Sequence, residues 1–263
     1  MKKSEISNKS TVQTRLLSIC ELFASIQGEG ITAGVPSVFV RFSGCNLQCK
    51  FCDTPYTWNW EGTDFVHDTK AWEKNKYTQN AEMKMYTPIE LKDKICELSE
   101  TTINTVVLTG GEPMLYHKTD AFIHLLRLLK RYRFRIEVET NGTILPIDEV
   151  TKLVDQFNVS IKLSNSGVPE KRRIRDKAMT FFAGNSKTLF KFVITDKTNI
   201  EEIEILQDKF NIPAGKILLM PEGRTEEELK SRARTLVDIC IKGGYTFCNR
   251  LHIWLWGGEV RGM

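Results

Sequence analysis

Three thiols fall within eight residues of this 263-residue chain: Cys45, Cys49 and Cys52, in the run Gly44-Cys45-Asn46-Leu47-Gln48-Cys49-Lys50-Phe51-Cys52-Asp53-Thr54. A C-x3-C-x2-C loop lets three thiolates converge on one small inorganic core. A 4Fe–4S cubane held in this way keeps one iron open for a further ligand. Zinc is the competing metal, but a structural zinc site pairs such an element with a second close Cys or His pair. Cys20, Cys96, Cys240 and Cys248 offer no such pair. The spacing therefore favours an iron–sulfur cluster.

Other chemistry-bearing residues sit where β-branched runs end. Thr109-Gly110-Gly111-Glu112-Pro113 combines glycines, which permit close backbone approach to a ligand, with a carboxylate able to accept from an ammonium. Alone, such a run reads more simply as a turn. Glu139-Thr140-Asn141-Gly142, Ser164 and Met220-Pro221-Glu222-Gly223 end later strands, where turn chemistry explains them as readily as a ligand does. Gln27-Gly28-Glu29-Gly30 is either a polar turn or an amide and carboxylate placed to pair with a heterocycle. Arg41 carries a planar fork suited to a carboxylate, or is a surface arginine on a strand.

The cysteine loop, with Phe51 before its last cysteine, resembles the radical S-adenosylmethionine superfamily, and Gly110-Gly111-Glu112-Pro113 is similar to that superfamily's GGEP element. The resemblance implies a partial (β/α)6 barrel whose cluster binds the amino and carboxylate groups of S-adenosylmethionine at its open iron. It implies reductive cleavage of that cofactor to methionine and a 5′-deoxyadenosyl radical. By the same resemblance Phe51, Asp53, Gly110, Gly111 and Glu112 contact the cofactor. Glu139, Asn141 and Ser164 lie near its ribose and methionyl parts, and Met220, Pro221 and Glu222 near its adenine.

A narrower likeness rests on Ser25-Ile26-Gln27-Gly28-Glu29-Gly30, on Arg41-Phe42-Ser43-Gly44-Cys45-Asn46-Leu47 and on Cys52-Asp53-Thr54. These resemble the 7-carboxy-7-deazaguanine synthase family, most strongly over 18–54 and 105–113. The resemblance implies ring contraction of 6-carboxy-5,6,7,8-tetrahydropterin with loss of ammonia, a step towards queuosine. Gln27, Gly28, Glu29, Arg41 and Thr109 would contact that substrate, Thr54 would ligate Mg²⁺, and His252 and Met263 would close the pocket. A homodimer and a flavodoxin-like electron donor are further expectations. The rivals are an activating enzyme that makes a glycyl radical on a partner protein, a non-enzymatic metal module that recognises RNA or protein, and a paralogue acting on a related heterocycle.

Positioning these residues requires a scaffold, and the hydrophobic pattern supplies one. Runs at Ser37–Phe42, Thr105–Thr109, Arg135–Glu139, Val159–Leu163, Leu189–Ile194 and Lys216–Met220 read as strands. Their apolar continuity suits a parallel sheet covered on both faces. Helices are expected at about 87–100, 118–132, 146–157, 199–210 and 225–243. Thr87-Pro88-Ile89-Glu90 and Thr225-Glu226-Glu227-Glu228 carry capping-box chemistry. Residues 55–86, rich in aromatics, break the rhythm and read as an insertion or lid, and the apolar end 251–263 as a docked strand and turn.

Bulk properties set the boundaries. With 41% hydrophobic and 27% charged residues, the chain can build one globular domain over 18–263 behind a polar lead-in at 1–17. No apolar run reaches the roughly 18 residues of a membrane span, and no signal-peptide pattern opens the chain, so cytoplasmic residence is expected. Net charge is only +4, and the basic run Lys171–Arg175 reads as a solvated loop, which argues against a nucleic-acid partner.

Overall fold

The structure, a computed structural model, describes residues 16–67, 77–258 and 260–262. The expectations for Trp72, Met263 and most of the lead-in lie outside them. The strands are β1 (Leu17–Ile26), β2 (Pro36–Phe42), β3 (Lys84–Tyr86), β4 (Thr105–Gly110), β5 (Arg135–Thr140), β6 (Gln156–Val159), β7 (Thr188–Ile194), β8 (Ile217–Pro221) and β9 (Thr246–Phe247). Among the described residues they form one sheet of order β3-β1-β2-β4-β5-β6-β7-β8-β9. β1 runs antiparallel to both β2 and β3, and every pair from β2 to β9 is parallel. The edges do not meet, which gives an open, partial barrel.

Helices α1 (Gln79–Glu82) and α2 (Pro88–Ser99) precede β4, and α3 (Asp120–Arg131), α4 (Asp148–Leu153), α5 (Glu170–Arg173), α6 (Asp176–Gly184), α7 (Thr198–Phe210) and α8 (Glu226–Gly243) make the later crossovers. Last among the described residues, α9 (Leu251–Trp256) follows β9. Both expected capping boxes form: the Thr87 hydroxyl accepts from the Glu90 N–H, and that of Thr225 from the Glu228 N–H. In α3, Ala121, Phe122, Leu125, Leu126 and Leu129 recur at helical spacing and are buried against the sheet. Each large side chain of this kind contributes about 1.5–3 kcal/mol. Phe122 meets Phe42 of β2 edge-on at 5.6 Å, and Phe182 of α6 meets Phe157 of β6 in the same way.

The two faces of the sheet divide the labour. Val38, Val40 and Phe42 of β2, Val106 and Leu108 of β4, Ile136 and Val138 of β5, and Phe190 and Phe192 of β7 join the main core. The alternate residues point to the other face, and there stand Arg41, Thr109, Glu137, Glu139, Asn158 and Lys191. The sheet is thus apolar beneath its helices and polar on its inner side, rather than apolar on both.

Four expectations need correction. The basic run Lys171–Arg175 is not simply a solvated loop: it enters α5, and Arg173 is buried, donating to Val168 O and Lys162 O and pairing with Glu202. The strand placed at Val159–Leu163 is Gln156–Val159, because Gln156 and Asn158 are satisfied inside the barrel: Arg135 donates to Gln156, Gln156 to Asn158, and Asn158 to Glu137. The terminal segment is a helix over Leu251–Trp256, not a strand. The helix expected at 146–157 is only Asp148–Leu153, since the chain must turn into β6.

Candidate active site at the carboxyl ends of the parallel strands

A cavity of about 270 Å³ opens where the parallel strands end. Parallel α/β sheets present loops from several strands at that end. The loop after β2 brings Cys45, Cys49, Phe51, Cys52, Asp53 and Thr54 to the wall. β4 brings Thr109, Gly110 and Gly111, β5 brings Glu139 and Asn141, and β8 and its loop bring Met220 and Glu222. Gln27, Gly28 and Glu29 enter from the loop after β1, Arg41 from β2, and His252 from α9. These residues, up to 225 positions apart in the chain, share one space.

Three expected residues do not line it. Glu112 is fully buried behind the wall, accepting from Met114 N, Thr140 Oγ1 and Asn141 N. Its carboxylate thus shapes the turn that carries Asn141. Ser164 is exposed and donates its backbone N–H to Glu202, and Pro221 is buried in β8.

The cysteine loop is pinned from several sides. Gly44 N donates to Thr57 O, Glu112 N to Gly44 O, and Lys50 N to Ser166 O. A side chain at Gly111 would bring its Cβ within 2.0 Å of Gly44 O, so only glycine lets β4 pass this close to the loop. Cys49 packs with Leu47 and Val168, against which Cys45 and Cys52 also rest. Leu47 N donates to Cys45 Sγ at 3.5 Å and Trp58 Nε1 to Cys52 Sγ at 3.3 Å, bonds that suit thiolate ligands. Burial pushes all three thiols up, Cys49 to about 11. They are protonated without metal, and a bound metal removes those protons. Among the described residues no three His, Cys, Asp or Glu side chains gather tightly enough for a single metal ion. Three thiols gathered on one loop are the donor set that a 4Fe–4S cubane takes from a protein.

Opposite the thiols lies a charge network whose cations the sequence reading missed. Lys191 Nζ lies 2.5 Å from Glu29 Oε2 and 2.8 Å from Glu139 Oε2. Arg250 bonds Glu29 Oε1 through Nε at 3.1 Å and Asp53 Oδ2 through Nη2 at 2.9 Å. Burial would raise the Glu29 carboxyl, but Lys191 and Arg250 outweigh it and hold it well below the usual carboxylate range. Glu139 goes the other way, pushed up by burial and by the charge of Glu29. Burial also pushes the His252 imidazole down. The His252 ring packs on Gly28, where a Cβ would come within 2.2 Å of its Nδ1. Gln27 Oε1 accepts from the Glu29 N–H, while its buried Nε2 has no partner among the described residues. An unpaired buried amide at a cavity wall fits a ligand that brings an acceptor.

Arg41 is held from behind. Its Nε donates to Glu21 Oε2 at 2.6 Å, and Tyr56 donates its hydroxyl to the same oxygen at 2.7 Å. Lys191 left a trace in the sequence, a lone cation inside the run Leu189–Ile194, where a sheet interior demands a counter-ion. Arg250 and Glu21 left none.

Three clustered thiols beside an anion-rich, cation-balanced cavity at the mouth of an open parallel barrel define an iron–sulfur enzyme for a small polar substrate. Residues 39–236 match the radical SAM superfamily. A 7-carboxy-7-deazaguanine synthase of Pyrobaculum aerophilum is 36% identical over 93% of this chain and 96% of its own length. One from Halobacterium salinarum is 35% identical over 91% and 90%. In structure, QueE from Escherichia coli superposes with a TM-score of 0.65 over 96% of this chain and all of its own, at 22% identity. The chain belongs to the radical SAM superfamily and, within it, to the family of 7-carboxy-7-deazaguanine synthases.

Proposed function

We propose that this enzyme converts 6-carboxy-5,6,7,8-tetrahydropterin to 7-carboxy-7-deazaguanine, with loss of ammonia, in 7-deazapurine biosynthesis. The observation that carries the reading is the single cavity in which the three-thiol loop, Arg41, the unpaired Gln27 amide and the ionised Glu29 face one another. The names borne by the relatives support it.

Cys45, Cys49 and Cys52 would hold the 4Fe–4S cluster, with Gly110, Gly111 and Asn141 beside the methionyl end of S-adenosylmethionine. Phe51, Met220 and Glu222 would stand against its adenosyl part, and Asp53 near them. When bound, the cluster and S-adenosylmethionine would supply radical chemistry at C6 of the substrate. The chain's own residues bind and orient the pterin. Arg41 grips its carboxylate with the η nitrogens, and Thr109 and His252 flank the ring. Glu29, fixed as an anion, accepts from the amino and amide edge of the pterin, while Gln27 Nε2 donates to its carbonyl. Glu139, held by Lys191 at 2.8 Å on the cavity wall, would stand beside the ribose of the cofactor. Thr54 Oγ1 would meet Mg²⁺ together with water and substrate oxygens, the hard ligands that ion takes.

The described part of 55–86 supports a covering role: Trp58 bonds Cys52, and His67 Nε2 lies 2.7 Å from Cys52 O. A homodimer and a flavodoxin-like donor belong to the same reading. Among the described residues no helix is long and apolar enough to cross a membrane. The test is anaerobic turnover of Arg41→Gln beside the wild type. Product formation should fall by about two orders of magnitude, the loss expected of a buried charged contact. A variant as active as the wild type removes Arg41 from the substrate site.

A further inference from the structure

Glu21 sits on β1 directly across from Arg41 on β2, just past a register shift between Ile19 and Glu21. Such irregularities re-aim side chains beside functional sites. The Glu21 side chain is only 13% exposed and gathers three donors from three parts of the chain. Oε2 takes Arg41 Nε and the Tyr56 hydroxyl. Oε1 takes Nε of Arg261, at 3.2 Å, from the tail of the chain.

Arg261 is itself clipped in place. Its Nη2 lies 2.6 Å from Glu82 Oε2 of α1, and its guanidinium lies 3.6 Å from the centroid of the Tyr56 ring. The tail is thereby tied to β1, to the turn after the cysteine loop, and to α1.

The way Arg41 is held gives this clip its meaning. A carboxylate facing an arginine tends to pair with it through both oxygens, fork to fork. Here Glu21 touches Arg41 through one oxygen and at Nε alone, because the other oxygen belongs to Arg261. Among the described residues the η nitrogens of Arg41 take no acceptor, and Arg41 lines the cavity. With Arg261 gone, Glu21 is free to turn both oxygens onto Arg41 and occupy the donors a ligand needs.

We propose that Arg261, acting through Glu21, is a positioning residue that keeps the Arg41 fork open towards the cavity, which makes the docked tail part of carboxylate selection. This rests on the pterin reading above. Arg261 then acts through Glu21 rather than on the substrate itself, and its loss lowers discrimination for the carboxylate rather than general binding.

The test is anaerobic titration calorimetry on the cluster-loaded enzyme with S-adenosylmethionine. Two ligands are compared: 6-carboxytetrahydropterin and tetrahydropterin lacking the carboxylate. The wild type should favour the first. Arg261→Ala should weaken it by about tenfold, the scale of one charge-assisted bond, and leave the second unchanged. Arg261→Lys, which keeps the charge, should restore most of the preference. Preference retained in full by Arg261→Ala, or equal losses for both ligands, overturns the relay while leaving the pterin reading intact. A wild-type enzyme that binds both ligands equally removes the pterin reading and the relay with it.

Discussion

Lys191 decides the charge state of the interior. Its ammonium, 7% exposed, stands between Glu29 and Glu139; Glu29 also holds Arg250, whereas Lys191 is the one ion-pair partner of Glu139 among the described residues. Removing one partner of a buried ion pair leaves the other, here Glu139, uncompensated, at about 3–5 kcal/mol. Lys191→Met should therefore lower unfolding stability by that order in a denaturant titration, and a loss under 1 kcal/mol would mean that water already screens the pair. Glu29 supplies a pH signature. Its folded carboxyl is held below its unfolded value of about 4.3, so its stabilisation is complete above that pH and is lost as the pH falls through the folded value. The stability gap between wild type and Glu29→Gln should be full at neutral pH and begin to close below about 4.3. Thermal unfolding across acid pH reads this, and a gap that widens on acidification contradicts it.

Among the elements, β4 and the loop after β2 are locked by close approach. Gly111→Ala places a Cβ against Gly44 O, next to Cys45. Backbone cannot yield as a flexible side chain does, so the cysteine loop must shift. The expected result is a folded protein that retains far less iron and sulfide after reconstitution. Full iron content in that variant would show that β4 does not set the loop. Thr87→Ala removes the hydroxyl that caps α2 and should cost about 1 kcal/mol, with no change in iron content. These two elements also mark what a sequence discloses. Capping boxes, β4 and the cysteine loop are local patterns and were legible. β6 was misplaced because its Gln156 and Asn158 are polar residues paid for by partners on β5, which a hydrophobic run cannot reveal. β1 was overlooked because Leu17–Ile26 neither alternates cleanly nor stays apolar.

At the scale of the whole molecule, the open barrel does its work by convergence. The loop after β1 and the segment after β9 meet where Leu251 N donates to Gly28 O and Gly30 N to Cys248 Sγ at 3.0 Å. That junction carries Glu29 and Arg250 to each other across 221 residues. Pairings of this range leave no trace in composition or periodicity, which is why Arg250 and Glu21 were found only in three dimensions while Cys45, Cys49, Cys52, Glu29 and Arg41 were found in the sequence. The most direct test of the whole assembly is product formation. The reconstituted enzyme would be given S-adenosylmethionine, reductant, Mg²⁺ and 6-carboxytetrahydropterin under anaerobic conditions, beside a Cys49→Ala control, and the mixture read by mass spectrometry. The predicted result is 7-carboxy-7-deazaguanine from the wild type and none from the control. Cofactor cleavage without that product, from a fully loaded cluster, would contradict the assigned substrate.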